Sequence, residues 1–449
     1  MSAAVANVRR HSVFLTRSLL LSNPPNRAGK PIRTDVTRAY RVFTDLSSSI
    51  RRSSSPYRVS TSTSHVPARA FSSSSHASSS PSSTSIPHIS LHIAASSSGK
   101  GRRFRPDANT QEFSASSGQS LGAQRGSSLQ EKRRSRPDSG QDAYFVAPVG
   151  SHSHSTTPQS TAFAIADGVG GWTDRGIDPA DFSHGLCTYM SSLAQSFNAS
   201  DSEPSLSPKR LLARGYQQLI NDPDMVGGGT TACVGVIDPS GRMRIANLGD
   251  SGFVQLRLGR VQHLSEPQTH AFNTPYQLSL TPPEILRQAH IFGGVPIDDK
   301  PGSAEDFDLG ISHGDVLVLA TDGVWDNLDA QDLLKIVGGI MRGSGAWELH
   351  GEHGEQGFAV SDHIRDLVSR EKGSKESQMP ETLQGILAAT IVGEAKNASL
   401  NEKRDGPFAK ALRKYYPEEG WRGGKVDDIA VLVIVGVEEG GEANLKAKL

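Results

Sequence analysis

The sequence is poor in several features that would assign a functional class directly. Its 449 residues include only two cysteines, Cys187 and Cys233, too few for a disulfide framework or for a zinc site without other ligands. There is no run of about 18 apolar residues, so we expect no membrane-spanning helix. Basic and acidic residues balance at 47 each, which argues against a nucleic-acid-binding protein that relies on bulk positive charge.

The first hundred residues differ in composition from the rest. They contain thirteen Lys and Arg but only two acidic residues, a net charge of +11, so the remainder carries −11. A basic, Ser-rich and acid-poor segment is typical of an organelle transit peptide, and residues 9–21 could form its basic amphipathic helix. We predict a mitochondrial transit peptide with a disordered Ser-rich linker over 1–85, a folded domain over 86–440 and a tail over 441–449. A plastid address and an untargeted basic tail remain alternatives.

Short β-branched segments bounded by Gly, Asp or Pro predict strands, and segments with a 3.6-residue apolar period predict helices. The predicted strands are His88–Ala95, Ala143–Pro148, Thr161–Ala166, Thr231–Ile237, Arg242–Leu248, Gly252–Leu258, Asp315–Ala320 and Ile429–Val437. The predicted helices are Asp178–Phe197, Ser207–Ile220, Ala330–Met341, Ser361–Ser369 and Met379–Lys396. Polar composition predicts a loop or insertion over 101–139 and a surface loop over Gly343–Gly357. The pattern indicates one α+β domain.

Four predicted strands carry aspartate at one end. Asp142 precedes AYFVAP, Asp167 follows TAFAIA, Asp322 follows DVLVLAT, and Asp427 with Asp428 precedes IAVLVIVGV. Each aspartate taken alone could simply favour a turn. Four carboxylates on rigid strand ends, two of them followed by glycine, instead suit a hard cation such as Mg²⁺ or Mn²⁺.

Two other motifs receive structural interpretations. Gly249-Asp250-Ser251-Gly252 imitates the sequence around a trypsin-like nucleophile, but no matching His-Cys motif precedes it, so we interpret it as a tight turn between strands. The run Gly227–Thr231 lacks the lysine of a nucleotide-binding P-loop, and we predict a glycine turn that enters a buried strand.

Six motifs in order, DAYFV, FAIADGVGGW, GGGTTACVGV, ANLGDSG, LVLATDGVWD and DDIAVLVIV, resemble the metal-dependent serine/threonine protein phosphatases of the PPM family, type 2C. They cover about residues 140–436. The segment Phe272–Leu278 (FNTPYQL), together with ADGVGGW, resembles the mitochondrial branch of that family, which is associated with coenzyme Q biosynthesis.

The resemblance implies an α-β-β-α sandwich, with two central antiparallel sheets flanked by helices, and a centre of two Mg²⁺ or Mn²⁺ ions. The residues expected to bind the ions and support catalysis are Asp142, Asp167, Asp322 and Asp427, with Gly168 binding through its carbonyl oxygen. Gln141, Asp326 and Asp428 are expected beside these ligands. The implied reaction is hydrolysis of phosphoserine and phosphothreonine in proteins by a metal-activated water. We expect phosphoprotein partners, no nucleic acid, a monomer, and a location in the mitochondrial matrix.

The sequence departs from the family pattern at several positions. Gln141 replaces a common Glu, and Val169 replaces a His proposed to protonate the leaving group. Pro137 stands where the phosphate-binding Arg is expected, so Arg134 or Arg136 could substitute for it. Retention of the four aspartates favours an active phosphatase, but these departures keep open a weak or inactive pseudophosphatase that acts as a regulatory binding module.

Overall fold

A computed structural model describes residues 88–439, apart from 151–158, 201–203, 292–294, 352–356 and 370–378. The predicted transit peptide and linker over 1–85 and the tail over 441–449 lie outside the described residues. Within the part of the chain that is described, no helix has both the length and the apolar character needed to cross a membrane.

The described chain alternates groups of strands with helices. The strands are β1 Ile89–Ser98, β2 Thr110–Phe113, β3 Asp142–Pro148, β4 Thr161–Asp167, β5 Gly228–Thr230, β6 Ala232–Ile237, β7 Arg242–Leu248, β8 Gly252–Arg257, β9 Arg260–Leu264, β10 Thr269–Ala271, β11 Thr274–Pro275, β12 Leu278–Leu280, β13 Glu305–Gly310, β14 Val316–Ala320, β15 Trp347–His350, β16 Gly357–Val360 and β17 Ile429–Glu438. The α-helices are α1 Leu129–Arg134, α2 Pro179–Gln195, α3 Pro208–Ile220, α4 Pro283–Ile291, α5 Asp322–Trp325, α6 Ala330–Gly343, α7 Ile364–Val368, α8 Leu383–Ser399 and α9 Pro407–Tyr415.

Two large sheets form the centre of the fold. One has six strands in the order β2-β1-β17-β14-β8-β9, and the other has five in the order β13-β7-β6-β4-β3. Every neighbouring pair within them is antiparallel. The prediction of two antiparallel sheets is therefore confirmed.

Side-chain alternation along the strands explains why the sheets are covered on both faces. In β17, Val431 and Val433 face a cluster that includes Leu387 of α8, whereas Leu432 belongs to the cluster between the sheets. Successive strand residues point to opposite faces, so one strand serves two cores. A third cluster packs α2 and α3 against the five-stranded sheet, as the contact between Phe145 and the cluster of Leu186 illustrates. The layer order is helix, sheet, sheet, helix, as predicted.

Capping residues explain where the covering helices begin. Asp178 caps α2 by accepting a hydrogen bond from the amide of Ala180, and a proline at the first helical position follows each of Asp178 and Ser207. Proline fits there because the first helical N–H groups have no partner within the helix. Asp329 begins α6 with a reciprocal capping box. The helices therefore begin close to the predicted positions.

Three predictions of local structure need correction. The segment Trp347–His350, expected in a surface loop, pairs with Gly357–Val360, and the Trp347 indole is buried and donates to the carbonyl oxygen of Gly314 at 3.0 Å. The predicted loop over 101–139 contains β2, which extends the six-stranded sheet, and α1. The run Gly227–Thr231, predicted as a glycine turn, contains the short strand β5, which pairs with β12 before β6 begins at Ala232.

Candidate active site

Asp142 and Asp167 lie side by side at one end of the five-stranded sheet. Asp142 is the first residue of β3 and Asp167 is the last residue of β4, and the two are direct partners in the antiparallel register. Directly opposed residues in such a pair have Cβ atoms about 5 Å apart. The buried strands therefore fix two carboxyl groups next to each other.

Asp322 and Asp427 lie at the corresponding end of the six-stranded sheet. Asp322 follows β14 at the first position of α5, and Asp427 precedes β17. The end of β14 and the start of β17 are adjacent because Ala320 pairs with Val431 in the antiparallel register. A second pair of strand ends thus brings together the other two predicted carboxylates.

A hydrogen bond from Thr321 connects Asp142, at the end of the five-stranded sheet, to the end of β14 in the six-stranded sheet. The Thr321 hydroxyl donates to Asp142 Oδ2 at 2.7 Å, and the amide of Ala430 donates to the same hydroxyl oxygen. Repulsion from Asp322 also contributes to the raised pKa of Asp167, which places these two carboxyl groups near each other. The four aspartates therefore belong to one cluster.

The carboxyl groups differ in their electrostatics. Burial, reinforced by the charge of Asp428, raises the pKa of Asp142 well above its ordinary value. Burial also raises the pKa of Asp167, with repulsion from Asp322 as the next cause. Burial opposes ionisation of Asp322 as well, but the Lys425 ammonium outweighs it, so that the pKa of Asp322 lies below its ordinary value. The Lys425 ammonium is thus the main cause that lowers the pKa of Asp322 against the effect of burial.

Lys425, which the sequence interpretation did not single out, sits among the carboxylates. Its Nζ lies 2.6 Å from Asp322 Oδ2, 2.6 Å from Asp326 Oδ2 and 3.1 Å from Asp427 Oδ2. Burial works against the charge of the ammonium, but the neighbouring carboxylates raise the pKa of Lys425 well above its ordinary value. The site thus already holds one positive charge that the chain itself supplies.

Gly168 allows a close approach of backbone segments. A Cβ atom built at this position would lie 2.8 Å from the carbonyl oxygen of Gln141 and 2.9 Å from that of Pro179, closer than real Cβ contacts. The Gly168 amide donates to the Gln141 carbonyl at 3.1 Å. Any larger residue would displace the loop that follows Asp167, which explains glycine next to the aspartate.

Asp428 has a different role from Asp427. Its carboxylate accepts hydrogen bonds from the amides of Lys100 and Gln141, so it fixes the backbone that leads into β3. A Cβ atom at Gly140 would collide with this carboxylate, which accounts for glycine at that position. The predicted place of Asp428 beside the ligands stays a prediction, and its visible contacts are with backbone amides.

The candidate phosphate-binding arginines lie near α1. Arg136 makes ion pairs with Asp178 and Asp181, and its side chain is 11% exposed. Arg133 shares Asp181, with Nε at 2.9 Å and Nη2 at 2.6 Å from the two carboxylate oxygens. Arg134 is exposed in the last turn of α1. Phosphate binding by Arg136 or Arg134 stays a prediction, and for Arg136 it would require the guanidinium to share or leave its carboxylates.

The structure also adds Asp250 and the FNTPYQL segment to the site. Asp250 is the residue that the sequence interpretation assigns to a turn. Burial raises its pKa well above the ordinary value, and repulsion from the nearby Asp322 and Asp326 adds to the shift. In the FNTPYQL segment, Asn273 Oδ1 lies 3.5 Å from Lys425 Nζ. Neither the glycine that precedes Asp250 nor the order of the six motifs predicts these contacts, because they depend on tertiary packing.

The donor chemistry of the cluster suits a hard divalent cation, but the described side chains are not arranged around one. The candidate donors are carboxylate and carbonyl oxygens, the atoms preferred by Mg²⁺ and Mn²⁺. Nevertheless, within the described ranges no group of three or more His, Cys, Asp or Glu side chains is placed to hold a metal ion. The Lys425 ammonium stands between three of the carboxylates instead.

The chain is similar to curated protein phosphatases. It is 35% identical over 301 residues to the protein phosphatase PTC7 homolog fig of Drosophila simulans, an alignment covering 67% of this chain and 78% of the relative. The homologue of Drosophila melanogaster is 33% identical over 301 residues, with the same coverage. No family model matches the sequence.

Solved structures with similar folds are more distant. The photosystem II phosphatase PBCP is 22% identical, with a TM-score of 0.46 and coverage of 71% of this chain and 98% of that chain. The catalytic domain of the serine/threonine phosphatase PstP in complex with two manganese ions is 13% identical, with a TM-score of 0.36 and coverage of 78% and 100%.

Proposed function

Because the chain belongs to the PP2C-type protein phosphatases of the PTC7 group, we propose that it hydrolyses phosphoserine and phosphothreonine in proteins with two divalent cations, Mg²⁺ or Mn²⁺. The observation that carries this proposal is the meeting of four strand-end aspartates. The ends of β3 and β4 supply one pair and the ends of β14 and β17 supply the other. The Thr321 hydroxyl links Asp142 to the end of β14, and the charges of Asp322 and Asp427 act on Asp167.

The residues that would hold the cations are the carboxylates of Asp142, Asp167, Asp322 and Asp427 and the carbonyl oxygen of Gly168. The presence of a buried ammonium against these carboxylates supports the assignment, because it indicates a pocket that stabilises positive charge. When bound, such ions lower the pKa of a water molecule and offset the charge of phosphoryl oxygens.

The other residues of the site would position these ligands. Thr321 orients the Asp142 carboxyl group through its 2.7 Å hydrogen bond. Asp428 fixes the backbone at Gln141, directly before Asp142. Precise placement of ligands before substrate arrives lowers the reorganisation required in the transition state.

The cysteines support hydrolysis by water rather than through a covalent phosphocysteine. Cys187 and Cys233 are both buried in the core, and burial raises the pKa of each thiol above its ordinary value. A nucleophilic cysteine needs an accessible thiolate, which an apolar core disfavours.

The test is phosphate release from a phosphothreonine peptide by the purified full chain, with and without Mn²⁺. We expect Mn²⁺-dependent release by the wild type, and its loss in Asp322→Asn. Asp366→Asn is a matched control, because that carboxylate is 86% exposed and outside the cluster. Release that is independent of Mn²⁺, or unchanged in Asp322→Asn, would contradict the proposed two-cation site.

A regulatory pseudophosphatase is the second candidate, and Gln141 and Val169 favour it. Gln141 supplies no negative charge beside the proposed ligands, and Val169 offers no proton to a leaving group. In this case Mn²⁺ would bind without phosphate release from the peptide. The same assay, run beside a calorimetric titration with Mn²⁺, separates the two candidates.

We further propose a monomer that acts on phosphoproteins in the mitochondrial matrix. The basic, Ser-rich and acid-poor composition of residues 1–85 supports this address. A fusion of residues 1–85 to a fluorescent protein should enter mitochondria, whereas the chain lacking them should not. Import of the shortened chain would show that the targeting sequence does not lie in residues 1–85.

A further inference from the structure

Lys425 occupies the position in this site where a bound cation would meet the carboxylates of the six-stranded sheet. Its Nζ contacts Asp322 and Asp326 at 2.6 Å and Asp427 at 3.1 Å. Two of these three residues, Asp322 and Asp427, are proposed ligands of the divalent cations. One ammonium and one divalent ion would therefore draw on the same oxygens.

The surroundings of Lys425 hold its side chain in place. Its side chain is 16% exposed, and its Nζ lies 5.2 Å above the Phe408 ring. Phe408 packs against Phe272 and Trp421, with ring centroids 5.3 Å and 5.8 Å away. An ammonium over an aromatic face is stabilised by the ring quadrupole. The contacts indicate a built position for the ammonium rather than a mobile surface lysine.

The charge around Lys425 explains why a chain would keep an ammonium there. Without a cation, the carboxylates of Asp322, Asp326 and Asp427 would face one another in a buried site, which is strongly unfavourable. Lys425 offsets that repulsion within the folded chain. A divalent ion would offset it more strongly, since it carries two charges at a similar distance.

We propose that Lys425 is an internal competitor of the divalent cations, so that metal binding at Asp322 and Asp427 requires the ammonium to leave them. The inference rests on the assignment of those two residues under the proposed function. Lys425 is in this sense a positioning residue that sets the metal affinity. Asp326, which is not a proposed ligand, is the carboxylate that can retain the ammonium when the ion is bound.

The test is isothermal titration calorimetry of the full chain with MnCl₂, comparing wild type with Lys425→Met. Removal of the competing charge should lower the Kd for Mn²⁺ by roughly tenfold or more, equivalent to about 1.4 kcal/mol. Lys425→Arg keeps the charge and should stay close to the wild type. Lys335→Met, at a 77% exposed lysine paired with Asp332, controls for the loss of a surface charge. An unchanged or higher Kd in Lys425→Met would overturn the proposal.

A second measurement uses only the wild type and so does not depend on the folding of a variant. Amine labelling with mass-spectrometric readout should show a several-fold change in the reactivity of Lys425 between metal-free protein and protein saturated with Mg²⁺, while Lys335 stays constant. Equal labelling of Lys425 in both states would contradict displacement. Failure of phosphatase activity would leave both readouts intact, because neither requires turnover.

Discussion

Both sheets supply aspartates to the site, but the electrostatic surroundings of the two pairs differ. At the end of the six-stranded sheet, Asp322 and Asp427 contact the Lys425 ammonium. At the end of the five-stranded sheet, Asp142 and Asp167 face each other in register. The ion pairs of Lys425 that the structure describes involve Asp322 and Asp427, at the end of the six-stranded sheet, and Asp326.

The difference teaches how one cluster of carboxylates can persist in a folded chain. Burial raises the pKa of Asp142 and Asp167, so that these groups favour the neutral, protonated form. Lys425 instead keeps the pKa of Asp322 low in spite of burial. At one end burial raises the pKa of the carboxyl groups, whereas at the other the Lys425 ammonium offsets the charge of Asp322. A divalent ion that bound both ends would replace both arrangements.

The largest expected effect is the loss of activity when the five-stranded end loses a charged ligand. Asp167→Asn should reduce kcat/KM by roughly 10³-fold, because an amide supplies no charge to a divalent cation. The measurement is phosphate release from a phosphothreonine peptide across a range of Mn²⁺ concentrations. Asp308→Asn, at a 58% exposed position on the same sheet, should retain activity. A wild-type rate for Asp167→Asn at limiting Mn²⁺ would refute the assigned role.

The comparison also predicts that substitutions at the two ends change the free energy of unfolding of the metal-free protein differently. Asp322→Asn should lower the free energy of unfolding by about 2–3 kcal/mol, because the buried ammonium loses one of its partners. Asp142→Asn should leave it unchanged or raise it, because the amide removes a buried acid and can still accept from Thr321. Urea unfolding in the presence of EDTA measures both values. Equal losses in the two variants would show that the ends are not electrostatically distinct.

The sequence predicts the strands and their terminal aspartates because both are local properties. A short apolar run with Asp at one end predicts β3, β4, β14 and β17 without reference to the rest of the chain. The pairing of those strands is non-local, so the convergence of Asp142 with Asp322 could only be supposed from the family resemblance. The register that the structure provides replaces that supposition with contacts.

Lys425 and Asp250 escaped prediction for the same physical reason. Lys425 lies in the glycine-rich stretch GGKVDD, where composition indicates only a loop, and Asp250 lies in a turn where aspartate is common. Their roles depend on which carboxylates the fold places beside them. The hairpin at Trp347 was missed in a similar way, because the burial of that indole and its bond to Gly314 are tertiary contacts within a polar segment.

Helix α2, which covers the five-stranded sheet, adds a pH-dependent effect on that side. His184 is 1% exposed. Burial lowers its pKa to about 3, with repulsion from Arg136 as a smaller cause. The unfolded chain binds a proton near the ordinary value of about 6.5, whereas the folded chain does not. Stability is therefore expected to fall with pH below about 6.5, by up to about 1.4 kcal/mol per pH unit from this group.

The variant His184→Leu should remove that contribution. Urea unfolding at several pH values between about 6.5 and 4.5 should give a shallower loss of stability than in the wild type. His363→Leu, at a side chain that is 78% exposed, should follow the wild-type slope. Parallel slopes for His184→Leu and wild type would mean that His184 is not held neutral by the fold.

The smallest expected effect concerns the hydroxyl that joins the two ends. Thr321 belongs to the six-stranded side, yet its Oγ1 donates to Asp142 on the five-stranded side. Thr321→Val keeps the side-chain shape and should cost about 1 kcal/mol of unfolding free energy, the usual net value of one hydrogen bond. Thr321→Ser retains the hydroxyl and should restore most of that stability. If valine and serine are equally stable, the ends are held together by packing alone, and the contrast between them is set by Lys425 without help from Thr321.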